Sequence, residues 1–463
     1  MAKQDKELKA KVEKLKTKVK KLKSQLGHLA SEAVEEVTEV VGEVAAKVKK
    51  AALVSPLAPA SFPALPLIDG VEFAAIGAGV RYAGRTDVML ARVAPGSTIA
   101  GVFTTSSTRA ACVLDCQAKL AGKPDETAGA AIIVNSGNAN AFTGAGGQEA
   151  VDAVTGAVAA ALGMPASRVF SSSTGVIGEP LPFERITAKI ADLTAALDPT
   201  GMEAAARAIM TTDTFPKGAA AEVEGEGGTI HIAGIAKGSG MIAPNMATML
   251  VYIFTDAKIS AKNLQKMLSR QVDDTFNAIT VDSDTSTSDA LIVAATGKST
   301  AAEITDLRSK VAKDFEAALR GVMMDLAHQV VKDGEGATKF VEVRVTGAET
   351  AEDAHKVAMA VANSPLVKTA VAGEDANWGR VVAAVGKSGA KADRDRLTIR
   401  FGDMVLAANG WRVPDYDEDA ASAYMKGQEL VIGVDLGLGK AAKSVWTCDL
   451  THRYIDINAD YRS

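Results

Sequence analysis

Lys237-Gly-Ser-Gly-Met-Ile-Ala-Pro-Asn-Met-Ala-Thr-Met-Leu250 runs directly into Val251-Tyr-Ile-Phe254. The run Met249–Phe254 is apolar without interruption, which reads as a strand buried on both faces. Ahead of it stand two glycines and a proline, residues that set turns and close approaches of the backbone. Thr248 follows the small Ala247 at the mouth of this strand, where its backbone is held. A threonine held in this way can attack the carbonyl before it and move the acyl group from nitrogen to oxygen. Hydrolysis of that ester frees an α-amine on the same residue. With an unperturbed pKa of about 7.7–8.0, that amine can serve as the base for its own hydroxyl. Spacing alone does not decide for this chemistry, since β-propensity also places Thr at the start of a strand.

Outward from this stretch, strand and helix patterns mix. Val341, Val343 and Val345 alternate with Glu342 and Arg344, as in a half-buried strand. Leu397, Ile399 and Phe401 repeat the alternation, as do Leu430, Ile432, Val434 and Leu436. Val151, Val154, Val158 and Leu162 have helical spacing, and Gly163 with Pro165 ends that helix. Leu307, Val311, Phe315, Leu319, Val322 and Leu326 mark a longer helix. The class is α+β, with helices layered on sheets.

Residues 1–52 differ from the rest. Leu8, Val12, Leu15, Val19, Leu22, Leu26 and Leu29 recur at alternating spacings of four and three, the seam of a coiled coil or an amphipathic helix. Lysines flank the seam as far as Lys23. Past Gly27, Val34, Val37, Val41, Val44 and Val48 continue a stripe lined by glutamates. Pro56, Pro59, Pro63 and Pro66 then mark a linker over 53–67, and the globular region is expected at 68–463.

The totals exclude several classes. With 463 residues and 47% hydrophobic content, a large core is available. A net charge of -5 argues against bulk nucleic-acid binding. No run of eighteen apolar residues suggests a membrane span, and the Lys-rich start lacks the apolar segment of a secretory signal, so the cytoplasm is expected. Cys112, Cys116 and Cys448 are sparse and odd in number, as for reduced thiols. No His/Cys pattern points to a metal.

A second polar stretch is Ser171-Ser-Ser-Thr-Gly-Val-Ile-Gly-Glu-Pro180, where Thr174 and Gly175 could offer a hydroxyl and an N–H to a developing oxyanion. Taken alone, the stretch reads better as a glycine-containing turn before a helix. Gly334-Glu-Gly-Ala-Thr-Lys339 and Lys237-Gly-Ser-Gly240 do not have the spacing of a nucleotide-binding loop.

These stretches resemble the ornithine acetyltransferase family, and the resemblance extends from about Ile68 to Ser463. It rests on Asn135–Asn140, Ser173–Gly178, Thr211–Thr214, Lys237–Leu250, Asp333–Lys339, Ser364–Thr369, Asp375–Arg380 and Ile457–Ser463, in that order. It implies a precursor that cuts itself between Ala247 and Thr248 into chains 1–247 and 248–463. Thr248 then takes acetyl from N-acetylornithine and passes it to glutamate. Thr174 and Gly175 match the family's oxyanion hole. Thr211, Lys237, Thr248, Glu335, Asn458 and Ser463 match its substrate contacts. The implied fold is an αββα sandwich like that of N-terminal nucleophile hydrolases, with different connectivity. The implied assembly is a heterotetramer with two copies of each cleaved chain. No cofactor is implied, and whether acetyl-CoA also donates acetyl is left open. Ser283 and Ser288 depart from the family's usual Gly and Asn, and nothing carries over to residues 1–52. Two alternatives remain: a self-processing threonine amidohydrolase or aminopeptidase, and an interaction protein organised by the N-terminal helix.

Overall fold

A computed structural model describes residues 14–18, 20–21, 54–123, 125, 127–243 and 249–459. The chain divides into two compact units, 1–54 and 55–463. In the first, the described residues 14–18, 20 and 21 are helical, with Leu15 exposed. The rest of the heptad seam lies outside the described residues.

The second unit has fifteen strands among its described residues, in three sheets. The first sheet contains β1 (Val71–Ile76), β2 (Val88–Val93), β4 (Ala130–Asn138) and β5 (Val169–Val176), in the order β1-β2-β4-β5. The second has the order β3-β9-β8-β7-β6, with β3 (Thr98–Phe103), β6 (Lys217–Gly225), β7 (Gly228–Lys237), β8 (Leu250–Thr255) and β9 (Ala290–Ala295).

Side-chain alternation stacks these two sheets. Leu250, Tyr252 and Phe254 of β8 point into a core shared with Phe73, Met89, Ile132 and Phe170 of the first sheet. Val251 and Ile253 point the other way, into a core with the helices Ala261–Gln271 and Lys310–Lys332. All six residues of β8 are therefore buried, which is why the strand reads as an unbroken apolar run. The far face of the first sheet, with Val88, Leu90, Ile133 and Val169, packs on the helix Gly144–Leu162. The layers are αββα.

Two helices show how the sequence sets their ends. In Lys310–Lys332, Phe315, Leu319, Val322, Leu326 and Val330 form one buried stripe. Ser309 caps it by accepting from the Ala312 N–H, so Leu307, expected within the helix, precedes it. Gly144–Leu162 ends at Gly163, whose φ of 65° supplies the left-handed cap.

The third sheet has the order β13-β12-β11-β14-β10-β15. Its strands are β10 (Phe340–Ala348), β11 (Thr398–Phe401), β12 (Met404–Ala408), β13 (Trp411–Arg412), β14 (Glu429–Asp435) and β15 (Ala441–Cys448). It buries Val343, Ile399 and Ile432 against the helices Ala351–Ala362, Pro365–Ala372 and Trp378–Gly386.

One expected boundary is corrected. The compact unit begins at Ser55, not near Leu67. The Ser55 N–H donates to Thr214 Oγ1 at 2.9 Å, and Ser55 Oγ donates to the Lys332 carbonyl at 2.6 Å. Leu57, Phe62 and Leu65 pack on the two cores. The prolines therefore shape an extended segment lying on the globular unit, and apolar side chains between them anchor it.

Candidate active site

A cavity of about 250 Å³ opens where both stacked sheets end. The C-terminal end of β5 brings Thr174 and Gly175, β7 brings Lys237, and the start of β8 brings Leu250 with Met249 before it. Loops supply Thr211, Thr212, Gly240, Ser286, Thr287, Ser288 and Glu335, and the helix His452–Asn458 supplies Asn458. Six residues assigned to substrate or oxyanion from the sequence (Thr174, Gly175, Thr211, Lys237, Glu335 and Asn458) thus line one cavity. Ala247, Thr248 and Ser463 lie outside the described residues.

Two glycines are required by this geometry. Gly175 has a φ of +132°, and a Cβ there would lie 2.3 Å from the Gly137 carbonyl carbon. The β4–β5 register shifts at this point, with both Thr174 and Val176 facing Asn138. The shift directs Thr174–Gly175 into the cavity. A Cβ on Gly240 would lie 2.4 Å from the Glu335 carboxylate, so only glycine lets the loop and the carboxylate approach.

Glu335 is the central charge. It is 7% exposed. Burial raises its pKa above the usual carboxylate range; the Asn458 amide and the Thr212 hydroxyl act against this, whereas nearby Asp282 adds to it. Asn458 donates to Glu335 Oε2 at 2.6 Å, and the Glu335 N–H donates to the Ser239 carbonyl at 3.0 Å. Lys237, also buried, lines the same cavity.

The loop leaving β7 is fixed on several sides. Gly238 N–H donates to Asp213 Oδ1 at 2.7 Å. Met241 and Ile242 N–H donate to the two carboxylate oxygens of Asp282 at 2.6 and 2.9 Å. The Ile242 carbonyl accepts from Val281 N–H at 2.8 Å and from Thr280 Oγ1 at 3.0 Å. Met241 has a φ of 58°.

Sequence reading assigned no role to Thr212, Asp282 or the hydroxyls of residues 286–288. Thr212 stood within a quoted motif and could have been noticed. The place of Asp282 follows from long-range packing, which no local pattern reports. Cys112, Cys116 and Cys448 are free thiols in the core, and burial raises all three. Among the described residues no group of three or more His, Cys, Asp or Glu could hold a metal, and no helix is long and apolar enough to cross a membrane.

An αββα frame holding a small cavity, with an ammonium, a carboxylate and several hydroxyls on its wall, defines an enzyme for small amino-acid-like molecules. Residues 72–463 match the ArgJ family, and the chain belongs to it. It is 65% identical over 418 residues to the arginine biosynthesis bifunctional protein ArgJ of Ruegeria pomeroyi, covering 90% of this chain and 100% of that protein. Similarity also extends to a crystal structure of arginine biosynthesis bifunctional protein ArgJ from Bacillus halodurans, at 41% identity and a TM-score of 0.44, covering 45% of this chain and 97% of that one. A structure of ornithine acetyltransferase complexed with ornithine from Mycobacterium tuberculosis is 34% identical, with a TM-score of 0.33 over 41% of this chain and 95% of that one.

Proposed function

We propose that this chain is a glutamate N-acetyltransferase of arginine biosynthesis, moving acetyl from N-acetylornithine to glutamate through an acetyl ester on Thr248. Membership of the ArgJ family supports the pathway. One observation carries the site: Thr174, Gly175, Thr211, Lys237, Glu335 and Asn458, spread over 285 residues of sequence, converge on one amino-acid-sized cavity beside Met249.

The precursor cuts itself first. Thr248 Oγ attacks the Ala247 carbonyl, the C–N bond breaks, and water hydrolyses the resulting ester. Ala247 becomes a new C-terminus and Thr248 a free α-amine. That amine takes the Oγ proton when Thr248 attacks the acetyl carbonyl of N-acetylornithine. Thr174 Oγ1 and the Gly175 N–H face the oxyanion. The ornithine amine leaves with the proton. The glutamate amine then attacks the acetyl ester, giving N-acetylglutamate and restoring the Thr248 hydroxyl. Lys237 pairs with the substrate carboxylate, and Glu335 holds the side-chain ammonium of ornithine. Asn458 and Ser463 are further substrate contacts, and exclusion of water keeps the acyl-enzyme from hydrolysis. The working form is a cytoplasmic heterotetramer with two copies of each cleaved chain, and it needs no cofactor.

The test is a donor–acceptor assay on purified protein. Glutamate with N-acetylornithine should yield ornithine and N-acetylglutamate with ping-pong kinetics, and a parallel reaction with acetyl-CoA tells whether that donor also serves. Free acetate as the product, with no N-acetylglutamate, would make the chain an amidohydrolase instead.

A further inference from the structure

Lys217, Asp213 and Asp333 are absent from the cavity wall, yet they form a charge cluster immediately behind it. Lys217 Nζ lies 2.7 Å from Asp213 Oδ1 and 2.6 Å from Asp333 Oδ2, and none of the three side chains is exposed. A hydrophobic set of similar volume would often hold a core as well, so stability is a weak reason for such a cluster. What the cluster holds is more informative.

Asp213 Oδ1 accepts from the Gly238 N–H, next to Lys237, at 2.7 Å, and Oδ2 accepts from the Thr211 N–H at 3.0 Å. The Asp333 carboxylate accepts from the N–H and hydroxyl of Thr214. The Asp333 carbonyl accepts from Ser239 Oγ at 2.6 Å, and the Ser239 carbonyl accepts from the Glu335 N–H. Each of Thr211, Lys237 and Glu335 is therefore joined to the cluster through one or two hydrogen bonds. Burial would raise the Asp213 carboxyl, but Lys217 and Lys237 outweigh burial and draw it down to about 2. Burial and the charge of Asp213 raise Asp333. Asp213, drawn down by the two lysines, is the carboxylate that grips both Thr211 and Gly238.

We infer that Lys217, Asp213 and Asp333 are positioning residues, which fix the distance between the groups that bind the two charged ends of the amino-acid substrate. Lys217 binds both carboxylates, and each carboxylate fixes a different part of the wall. This inference rests on the amino-acid reading of the cavity.

The experiment is steady-state kinetics on wild type, Asp213→Asn and Thr214→Val, each checked for self-cleavage and melting temperature. An asparagine offers one acceptor oxygen where Asp213 offers two, so Thr211 or Gly238 loses its partner. The Km for both N-acetylornithine and glutamate should rise by about tenfold, with kcat within about threefold, because the loss falls on binding common to ground and transition states. Thr214→Val keeps the shape and removes the hydroxyl bond to Asp333; it should raise both Km values by about threefold. A purely structural role would lower the melting temperature and the active fraction but leave Km unchanged. Wild-type Km in the folded variants overturns the inference, and Thr214→Val decides alone if Asp213→Asn does not fold. A wild-type protein that moves no acetyl overturns the proposed function, and this inference with it.

Discussion

Asn458 Nδ2 donates to Glu335 Oε2 at 2.6 Å, joining the helix His452–Asn458 to a buried carboxylate 123 residues earlier in the chain. The contact is built in steps. Asp449 Oδ1 accepts from the N–H groups of Thr338 and Lys339 at 2.8 and 3.0 Å, which fixes the end of β15 to the Gly334–Lys339 loop. Thr451 Oγ1 donates to the Gly336 carbonyl at 2.7 Å. Gly336 has a φ of +75°, and a Cβ there would meet the backbone of Arg453 and Tyr454 at 2.8–3.0 Å. The helix therefore sits directly on the loop that carries Glu335.

The first prediction concerns that carboxylate. In the proposed role Glu335 must be ionised to hold an ammonium, and burial raises its pKa. As pH falls through this raised value, the carboxylate protonates and the Km for N-acetylornithine should rise, at a pH above the ordinary glutamate value of about 4.3. Glu335→Gln should bind N-acetylornithine more weakly at neutral pH and lose this acid limb. A variant whose pH profile matches wild type would remove Glu335 from the binding of that ammonium.

The second concerns processing. Denaturing gels of wild type should show two chains, and N-terminal sequencing of the smaller should begin at Thr248. Thr248→Ala should remain one chain and be inactive. A fully active, uncut Thr248→Ala protein would exclude Thr248 as nucleophile.

The third concerns the oxyanion hole. Thr174→Ala should lower kcat about ten- to a thousand-fold, the range for losing one oxyanion donor. Gly175→Ala should fail more broadly, because its Cβ would overlap the Gly137 backbone. A Thr174→Ala enzyme with wild-type kcat would remove that hydroxyl from the mechanism.

The fourth concerns Asp282, which fixes residues 241–242, a few residues before the proposed cleavage position in sequence. Asp282→Asn turns one acceptor into a donor, so one of the two N–H groups loses its partner. Self-cleavage should slow, with full-length chain persisting in a time course on freshly translated protein. Processing at the wild-type rate would show that this anchor does not align the scissile bond.

Much of the frame could be read locally. The run Met249–Phe254 declares a strand buried on both faces, and the alternations at Val341–Val345 and Leu430–Leu436 give β10 and β14. The stripe Phe315–Leu326 gives the long helix. Pairing order could not be read, because β3 pairs with β9 and β10 with both β14 and β15 across long stretches of chain. The buried cluster of Lys217, Asp213 and Asp333 was hidden for a related reason. A lysine at the start of an alternating strand ordinarily faces water, and only the fold brings two carboxylates to it. Whole motifs singled out six residues that line one cavity, whereas spacing alone left Thr174 and Gly175 as an ordinary turn.

The last prediction concerns the N-terminal segment. Every described residue that lines the cavity belongs to the second compact unit, which begins at Ser55. Removing residues 1–52 should leave the kinetics of acetyl transfer within about twofold, a small change on the transition-state scale. A cut at residue 67 is a different perturbation. It removes Ser55, whose N–H donates to Thr214 Oγ1 and whose hydroxyl donates to the Lys332 carbonyl, next to Asp333. It also removes Phe62, whose ring lies 2.6–2.8 Å from the position of a Cβ on Gly218, and Leu65, which packs on the core between the two sheets. Both side chains are partly buried; full burial of such a side chain contributes about 1.5–3 kcal/mol, and partial cover scales this down. The shorter protein should therefore melt at a lower temperature and bind both substrates more weakly, while the longer one does neither. Melting curves and steady-state kinetics on the two truncations check this directly. Equal behaviour of the two would show that residues 53–67 are the plain linker their prolines suggest, and a tenfold loss of activity on removing only 1–52 would place that segment within the active enzyme.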